Sequence, residues 1–159
     1  MAAFGPIGDL LARSYIARMG SPFSYRVSFQ IRHPTARAEA VSIGLPWKRS
    51  NGWTVGEERV TPAGTRLTGT RRDTYCNFIV GEGDDGELAA CLAEAVDALM
   101  PHKGHLAEVH RTGGVLSFYV FWYPNGDTGE TFKTELLQKL ASLNIDLGLN
   151  VYDDRPQHD

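Results

Sequence analysis

The segment 115–123, Val-Leu-Ser-Phe-Tyr-Val-Phe-Trp-Tyr, is apolar or aromatic at nearly every position. Such a run is typical of a β-strand, because aromatic and β-branched side chains pack well on a pleated surface. Near-continuous apolarity predicts a central strand that is covered on both faces. Gly113-Gly114 before the run and Pro124-Asn125-Gly126-Asp127 after it are turn sequences. We therefore expect this strand to organise the fold.

Other strands are predicted on both sides of this segment. Apolar and polar residues alternate over 25–31, a period of two that buries one face of a strand. The same alternation recurs over 145–152, and Cys76, Phe78 and Val80 share one face of a strand over 75–80. Residues 54–60 and 65–71 have a weaker strand pattern, and 47–53 resembles a loop with a turn at Asn51-Gly52.

Helices are predicted between these strands. The clearest covers 87–100, where apolar residues recur at a period of 3.6, and Pro101 interrupts it. Further helical segments are expected at 36–43, with Thr35 as its cap, at 102–111, and at 131–143. The order strand-helix-strand-strand-helix-strand is that of a ferredoxin-like sheet. We expect an α+β domain of this kind with an appended helix and strand, and with its helices mainly on one face.

Length and composition indicate one globular domain. The chain has 159 residues, of which 42% are hydrophobic and 22% are charged. We expect an N-terminal extension at 1–22 that contains a short helix over 7–19, a single domain at 23–153, and a polar tail at 154–159. The net charge of −3 gives no general attraction to phosphate backbones or anionic membranes.

The chain has no sequence pattern of a secretory signal peptide or of an apolar membrane span. Its two cysteines, Cys76 and Cys91, lie in apolar patterns, which favours free, buried thiols over a disulfide framework. These features predict a cytoplasmic protein without membrane association and without a cofactor.

Segment 47–72 is the strongest candidate for a binding surface. It contains six of the 16 lysines and arginines and two of the three tryptophans. Tryptophan and arginine are favoured anchors of protein interfaces, and basic-aromatic surfaces also bind single-stranded nucleic acid. The alternative is a solvated ribbon whose charges face water. The predicted partner-binding residues are Trp47, Trp53, Arg59, Arg71 and Arg72.

A histidine cluster gives an alternative site. His102 and His105 are three residues apart, a spacing that places two imidazoles on one helical face, and His33 could supply a third ligand. Pro101 and Gly104 interrupt that helix, and the metalloprotease spacing His-Glu-x-x-His is absent from the sequence. Solvated surface histidines are the competing interpretation.

The arrangement of segments resembles a known bacterial family. The pattern consists of the alternating opening strand, Ile43-Gly44-Leu45-Pro46, a basic loop to Trp53, a helix that ends at Leu99-Met100-Pro101, the aromatic strand, and Leu147-Gly148-Leu149-Asn150-Val151-Tyr152-Asp153. Over residues 24–153 it is similar to the family called domain of unknown function 4279. That family typically has a tryptophan on the strand before the long helix, where this chain has Tyr75 and Phe78. The resemblance implies a small cytoplasmic protein and transfers no catalytic residue.

These observations predict a non-catalytic module of the protein-binding or immunity type. We expect its partner to be another protein, of acidic character, or a second copy in a homodimer. The alternative is a small metal-assisted hydrolase that uses His33, His102 and His105. A weaker alternative is nucleic-acid binding through residues 47–72, against which the net charge of −3 argues.

Overall fold

The protein is an α+β structure that consists mostly of sheet. A computed structural model describes residues 22–152 of the chain. The strands are β1 Phe23–His33, β2 Arg49–Trp53, β3 Glu58–Val60, β4 Arg66–Thr70, β5 Thr74–Asp84, β6 Val115–Pro124 and β7 Ile145–Val151. The helices are α1 Ala38–Ser42, α2 Leu88–Leu99, α3 Lys103–Arg111 and α4 Thr134–Ser142, with a 3-10 turn at Met100–His102 between α2 and α3.

Five strands form one mixed sheet in the order β2-β5-β1-β6-β7. The ladders β2–β5, β5–β1 and β1–β6 are antiparallel, whereas β6–β7 is parallel and is connected through α4. Strands β3 and β4 follow β2 and precede β5 in the chain, and they form a separate two-stranded ribbon. The chain path therefore puts the ribbon near one edge of the large sheet and β7 at the other.

One face of the large sheet carries the hydrophobic core. Phe29 of β1 lies between Phe78 of β5 and Phe118 of β6 in the strand register, and all three side chains are buried. The buried side chains of the helices, such as Leu92 of α2 and Leu140 of α4, belong to the same core cluster. The helices of the described chain thus cover this face, in agreement with the sequence prediction.

The opposite face is more open. Arg26 and Arg32 of β1 are exposed on it, and β6 presents half-buried Tyr119, Phe121 and Tyr123 there. No helix among residues 22–152 belongs to a second layer on this face of β6, contrary to the prediction that β6 is covered on both faces. The half-buried aromatic side chains of that face fill part of the surface themselves.

Residues 49–53 form an edge strand, so the predicted loop at this position is wrong. Asn51 Oδ1 accepts the backbone N–H of Gly52 at 2.7 Å, and a register shift between Arg49 and Asn51 accommodates the polar sequence. Gly52 is required by close packing, because a Cβ at this position would clash with the carbonyl oxygen of Tyr75.

Most helix and strand predictions are confirmed within a few residues, including the long helix, which spans Leu88–Leu99. The predicted cap is wrong, because α1 begins after Arg37 and has no side-chain cap hydrogen bond. The predicted helix at 7–19 and the tail at 154–159 lie outside the described residues. Among the described helices, none is long and apolar enough to span a membrane.

Candidate partner-binding face

The strand register brings three side chains of the open face into one row, and a fourth joins them from a loop. Trp53 at the end of β2 lies opposite Tyr75 of β5, and Tyr75 lies opposite Arg32 of β1. Arg71 comes from the segment that returns from the ribbon to β5. We call these four residues the Arg–Trp–Tyr–Arg stack.

Cations lie over both aromatic rings of the stack. Arg71 Cζ is 4.0 Å from the centroid of the Trp53 ring, and Arg32 Cζ is 4.7 Å from the centroid of the Tyr75 ring. The two ring centroids are 4.8 Å apart, with the rings tilted by 41°. Each such cation–π contact contributes about 0.5–1 kcal/mol at a surface, so the stack holds flat, rigid side chains in place without a covering layer.

The two ends of the stack differ in charge. Arg32 forms an ion pair with Asp73 at 2.8 Å, which neutralises that end. Within residues 22–152 Arg71 has no carboxylate partner, and neither does its neighbour Arg72, which is exposed. The Arg71 end of the stack is therefore where positive charge is available to a partner.

Two polar groups in the stack lack hydrogen-bond partners among the described residues. These are Trp53 Nε1 and Arg71 Nε, both of which are buried as atoms. A buried donor without an acceptor costs about 1–3 kcal/mol. Tyr75 differs, since its hydroxyl lies 3.4 Å from Asn77 Oδ1 and can donate to it, and burial raises its pKa so that it stays protonated. The Arg71–Trp53 pair thus combines rigid packing with two N–H groups that donate no hydrogen bond within the described residues.

The other predicted binding residues lie elsewhere. Trp47 follows α1 and packs against the core face, with its ring centroid 5.9 Å from that of Phe29 and 6.3 Å from that of Phe118. Arg59 lies in the ribbon and donates to the carbonyl oxygen of Thr68 at 3.2 Å. The structure therefore brings Trp53 and Arg71 together, with Arg72 adjacent, and places Trp47 on the opposite side of the sheet.

Sequence reasoning missed Arg32 and Tyr75. Tyr75 precedes the buried Cys76 and so belongs to the outer face of its strand, and Arg32 continues the polar alternation of β1 beyond Ile31. These periodicities could have identified their face, but the strand order was needed to place them beside Trp53.

His33 has a structural environment. Its ring is buried, and Nδ1 accepts the backbone N–H groups of Thr35 at 3.1 Å and Ala36 at 2.8 Å. Because Nδ1 accepts, Nε2 carries the proton and donates to Thr112 Oγ1 at 3.0 Å. Thr112 Oγ1 in turn donates to the carbonyl oxygen of Glu108 at 2.8 Å. Burial lowers the pKa of His33, which keeps the ring neutral.

The other two histidines of the predicted cluster do not join His33 in a metal site. His105 Nε2 donates to the carbonyl oxygen of Val41 at 3.0 Å and so ties α3 to α1, while His102 lies in the 3-10 turn before α3. In the part of the chain that the structure describes, no group of three His, Cys, Asp or Glu residues is arranged to hold a metal ion.

The cysteines have no activated thiol. Burial raises the pKa of Cys76, although a weak contact from Arg49 Nη1 at 4.0 Å opposes that shift. Burial also raises the pKa of Cys91, which is half-buried. A raised thiol pKa reduces the thiolate fraction that a nucleophile needs, so both residues act as packing groups.

An apolar pocket of about 450 Å³ opens between α4 and the first residues of β6 and β7. Its ionisable lining residues are His110 and Asp146, and the rest of the lining is mainly aliphatic. It has no nucleophile beside a base, which a hydrolytic site needs.

No protein-family model, curated protein or solved structure matches the chain. The resemblance to the domain of unknown function 4279 family therefore stays a prediction, and evidence for a function has to come from the residues of this chain.

Proposed function

We propose that the protein is a non-catalytic binding module that holds an acidic protein partner against the Arg–Trp–Tyr–Arg stack. The observation that carries this proposal is the contact of Arg71 with Trp53, 4.0 Å from Cζ to the ring centroid, beside Tyr75. Tryptophan, tyrosine and arginine are the residue types that dominate binding energy at protein interfaces. Their rings are already held in place here, so binding loses little side-chain entropy.

The charge of the surrounding segment supports an acidic partner. Residues 47–72 contain six lysines and arginines and two acidic residues, whereas the whole chain has a net charge of −3. Of these lysines and arginines, Arg49 and Arg66 are paired with Glu39 and Glu58, whereas Arg71 and Arg72 have no carboxylate partner among residues 22–152. Unpaired positive charge beside the stack steers acidic partners to that location. A carboxylate of the partner would pair with Arg72, which is exposed, and with the guanidinium group of Arg71 beside it. An immunity-type role would be one form of this binding.

The test is capture of partners by the native full chain from a lysate of its own cells, followed by mass spectrometry. We expect a stoichiometric protein partner that is lost when Trp53→Ala and Arg71→Ala are combined. The matched control is Arg37→Ala, since the Arg37 side chain is 76% exposed and lies outside the stack. Equal capture by the double variant and by the control would remove the stack as the binding surface.

Single-stranded nucleic acid is the second candidate partner. The open face also carries Tyr119, Phe121 and Tyr123, and aromatic rings beside arginines are the stacking surface that single strands use. This candidate predicts retention on heparin or single-stranded DNA that falls steeply with salt. Flow-through at low salt would reject it and leave the protein partner.

We also propose that the segment from β1 to β6 forms a ferredoxin-like unit, to which α4 and β7 are appended. Its support is the strand order β2-β5-β1-β6 with antiparallel ladders throughout. In this arrangement α1 connects β1 to β2, and α2 with α3 connects β5 to β6.

A further inference from the structure

Strand β7 is an outer strand of the described sheet, and its edge is regular. It pairs with β6 from Ile145 to Val151 without a register shift, and no other strand of residues 22–152 pairs with it. The N–H of Tyr152 donates to the carbonyl oxygen of Trp122 at 2.9 Å. Because the direction of backbone groups alternates along a strand, those of the odd-numbered residues point away from β6. Lysine, proline and bulges, which commonly block pairing at strand edges, are absent from β7.

The sequence of β7 is nearly the same in both directions. In Ile-Asp-Leu-Gly-Leu-Asn-Val, residues equidistant from Gly148 match in size and polarity. The pairs are Leu147 with Leu149, Asp146 with Asn150, and Ile145 with Val151. A two-fold interface needs this property, since the same surface must complement itself.

We propose that β7 pairs antiparallel with β7 of a second copy, with Gly148 opposite Gly148, so that two sheets join into one. Leu147 of each copy then faces Leu149 of the other, and Ile145 faces Val151. These odd-numbered residues are those whose free N–H and C=O groups point outward, so they exchange backbone hydrogen bonds. The surface lies at the opposite edge of the sheet from β2 and is independent of the proposed function.

The apolar side chains of β7 fit this pairing. Leu149 and Val151 are 50% and 65% exposed, whereas Ile145 is buried and Leu147 is half-buried. Ile145 and Leu147 line the pocket of about 450 Å³ against α4. In the proposed register, the exposed Leu149 and Val151 of each copy lie beside Leu147, Ile145 and the pocket of the other copy. The pairing therefore removes apolar surface from water in both copies.

The polar face of β7 selects the register. Asp146 of each copy faces Asn150 of the other, which can donate hydrogen bonds to the carboxylate. A shift of two residues would place Asp146 opposite Gly148 or Tyr152 and lose that contact. The Tyr119 ring lies over Gly148, since a Cβ on Gly148 would be 2.9 Å from Tyr119 Cε1. The ring therefore covers the glycine at the proposed two-fold axis.

The test is the molar mass of the full chain in sedimentation velocity, measured at concentrations up to roughly 1 mM. We expect a dimer for the native chain and for Ile43→Lys, which changes a residue that is 70% exposed on another surface. We expect a monomer for Leu149→Lys and for Val151→Lys, with unchanged far-ultraviolet circular dichroism.

Two substitutions at position 150 test the register itself. Asn150→Asp places two carboxylates opposite each other at two symmetric positions and is expected to raise the dimer Kd about tenfold. Asn150→Lys places a cation opposite Asp146 and is expected to lower the Kd by a similar factor. A native monomer at every concentration, or a dimer that responds to none of these substitutions, would overturn the proposal.

Discussion

The guanidinium group of Arg71 lies over the indole ring of Trp53, with 4.0 Å between Cζ and the ring centroid. The two residues are connected through the β3–β4 ribbon, so the ribbon folds its ends together at the edge of the large sheet. Both side chains contain a buried N–H group without an acceptor among residues 22–152. The pair is therefore expected to affect both the free energy of unfolding and the proposed binding of a partner.

The substitution Trp53→Phe separates folding stability from partner binding. Phenylalanine keeps an aromatic ring between Arg71 and Tyr75 but removes the buried Nε1–H donor, whose burial costs about 1–3 kcal/mol. We expect urea denaturation to show no loss in the free energy of unfolding, while partner binding weakens. A loss of more than about 2 kcal/mol would mean that the indole makes packing contacts that phenylalanine cannot replace.

Gly52→Ala is expected to lower the free energy of unfolding by at least about 2 kcal/mol. The added Cβ would clash with the backbone carbonyl oxygen of Tyr75, so β2 must move away from β5. Partner binding should fall as well, because Trp53 is the next residue.

The control is Gly104→Ala in α3, where a Cβ meets no atom within 4 Å. Alanine favours a helix over glycine by about 1 kcal/mol, so this variant should be more stable than the native chain. Equal thermal unfolding of the two variants would contradict the proposed role of Gly52.

His33→Ala should destabilise the fold by about 2–4 kcal/mol, since it leaves the N–H groups of Thr35 and Ala36 without their acceptor and removes the donor to Thr112 Oγ1. His33→Asn is expected to recover part of this loss, because its side-chain oxygen can accept the same backbone N–H groups. Urea denaturation compares the two. If both variants are as stable as the native chain, the histidine does not hold this turn.

Protonation of His33 should make stability depend on pH. Its folded-state pKa lies below the usual value of 6.5 because of burial, so the unfolded chain binds the proton more readily. Its contribution to stability is therefore complete above about pH 6.5 and is lost as the pH falls from there toward the folded-state pKa. Denaturation between about pH 7.5 and pH 5 should show this loss in the native chain and a weaker one in His33→Asn. If the free energy of unfolding changes equally with pH in the native chain and in His33→Asn, groups other than His33 cause the pH dependence.

Several parts of the fold could be predicted because they depend on local periodicity. The stripe of α2 and the alternation of β1 are properties of short segments, and both elements formed close to the predicted bounds. The segment Arg49–Trp53 was missed, because its Asn51-Gly52 pair disfavours a strand and the segment becomes one through pairing with β5. The candidate site was half predicted, since Trp53 and Arg71 lie in one basic-aromatic segment, whereas Arg32 and Tyr75 join them only through the sheet.

The sequence by itself determined the α+β class, the positions of the main helices and strands, and the basic-aromatic character of segment 47–72. Tertiary structure decided which residues meet. Trp47 and Trp53 are six positions apart, yet one packs on the core face and the other on the open face, because α1 and β2 direct them to opposite sides of the sheet. His33 likewise donates to Thr112 only because folding brings that residue, which is distant in the sequence, to its ring. Contacts between distant segments depend on strand order, which the periodicity of one chain does not encode.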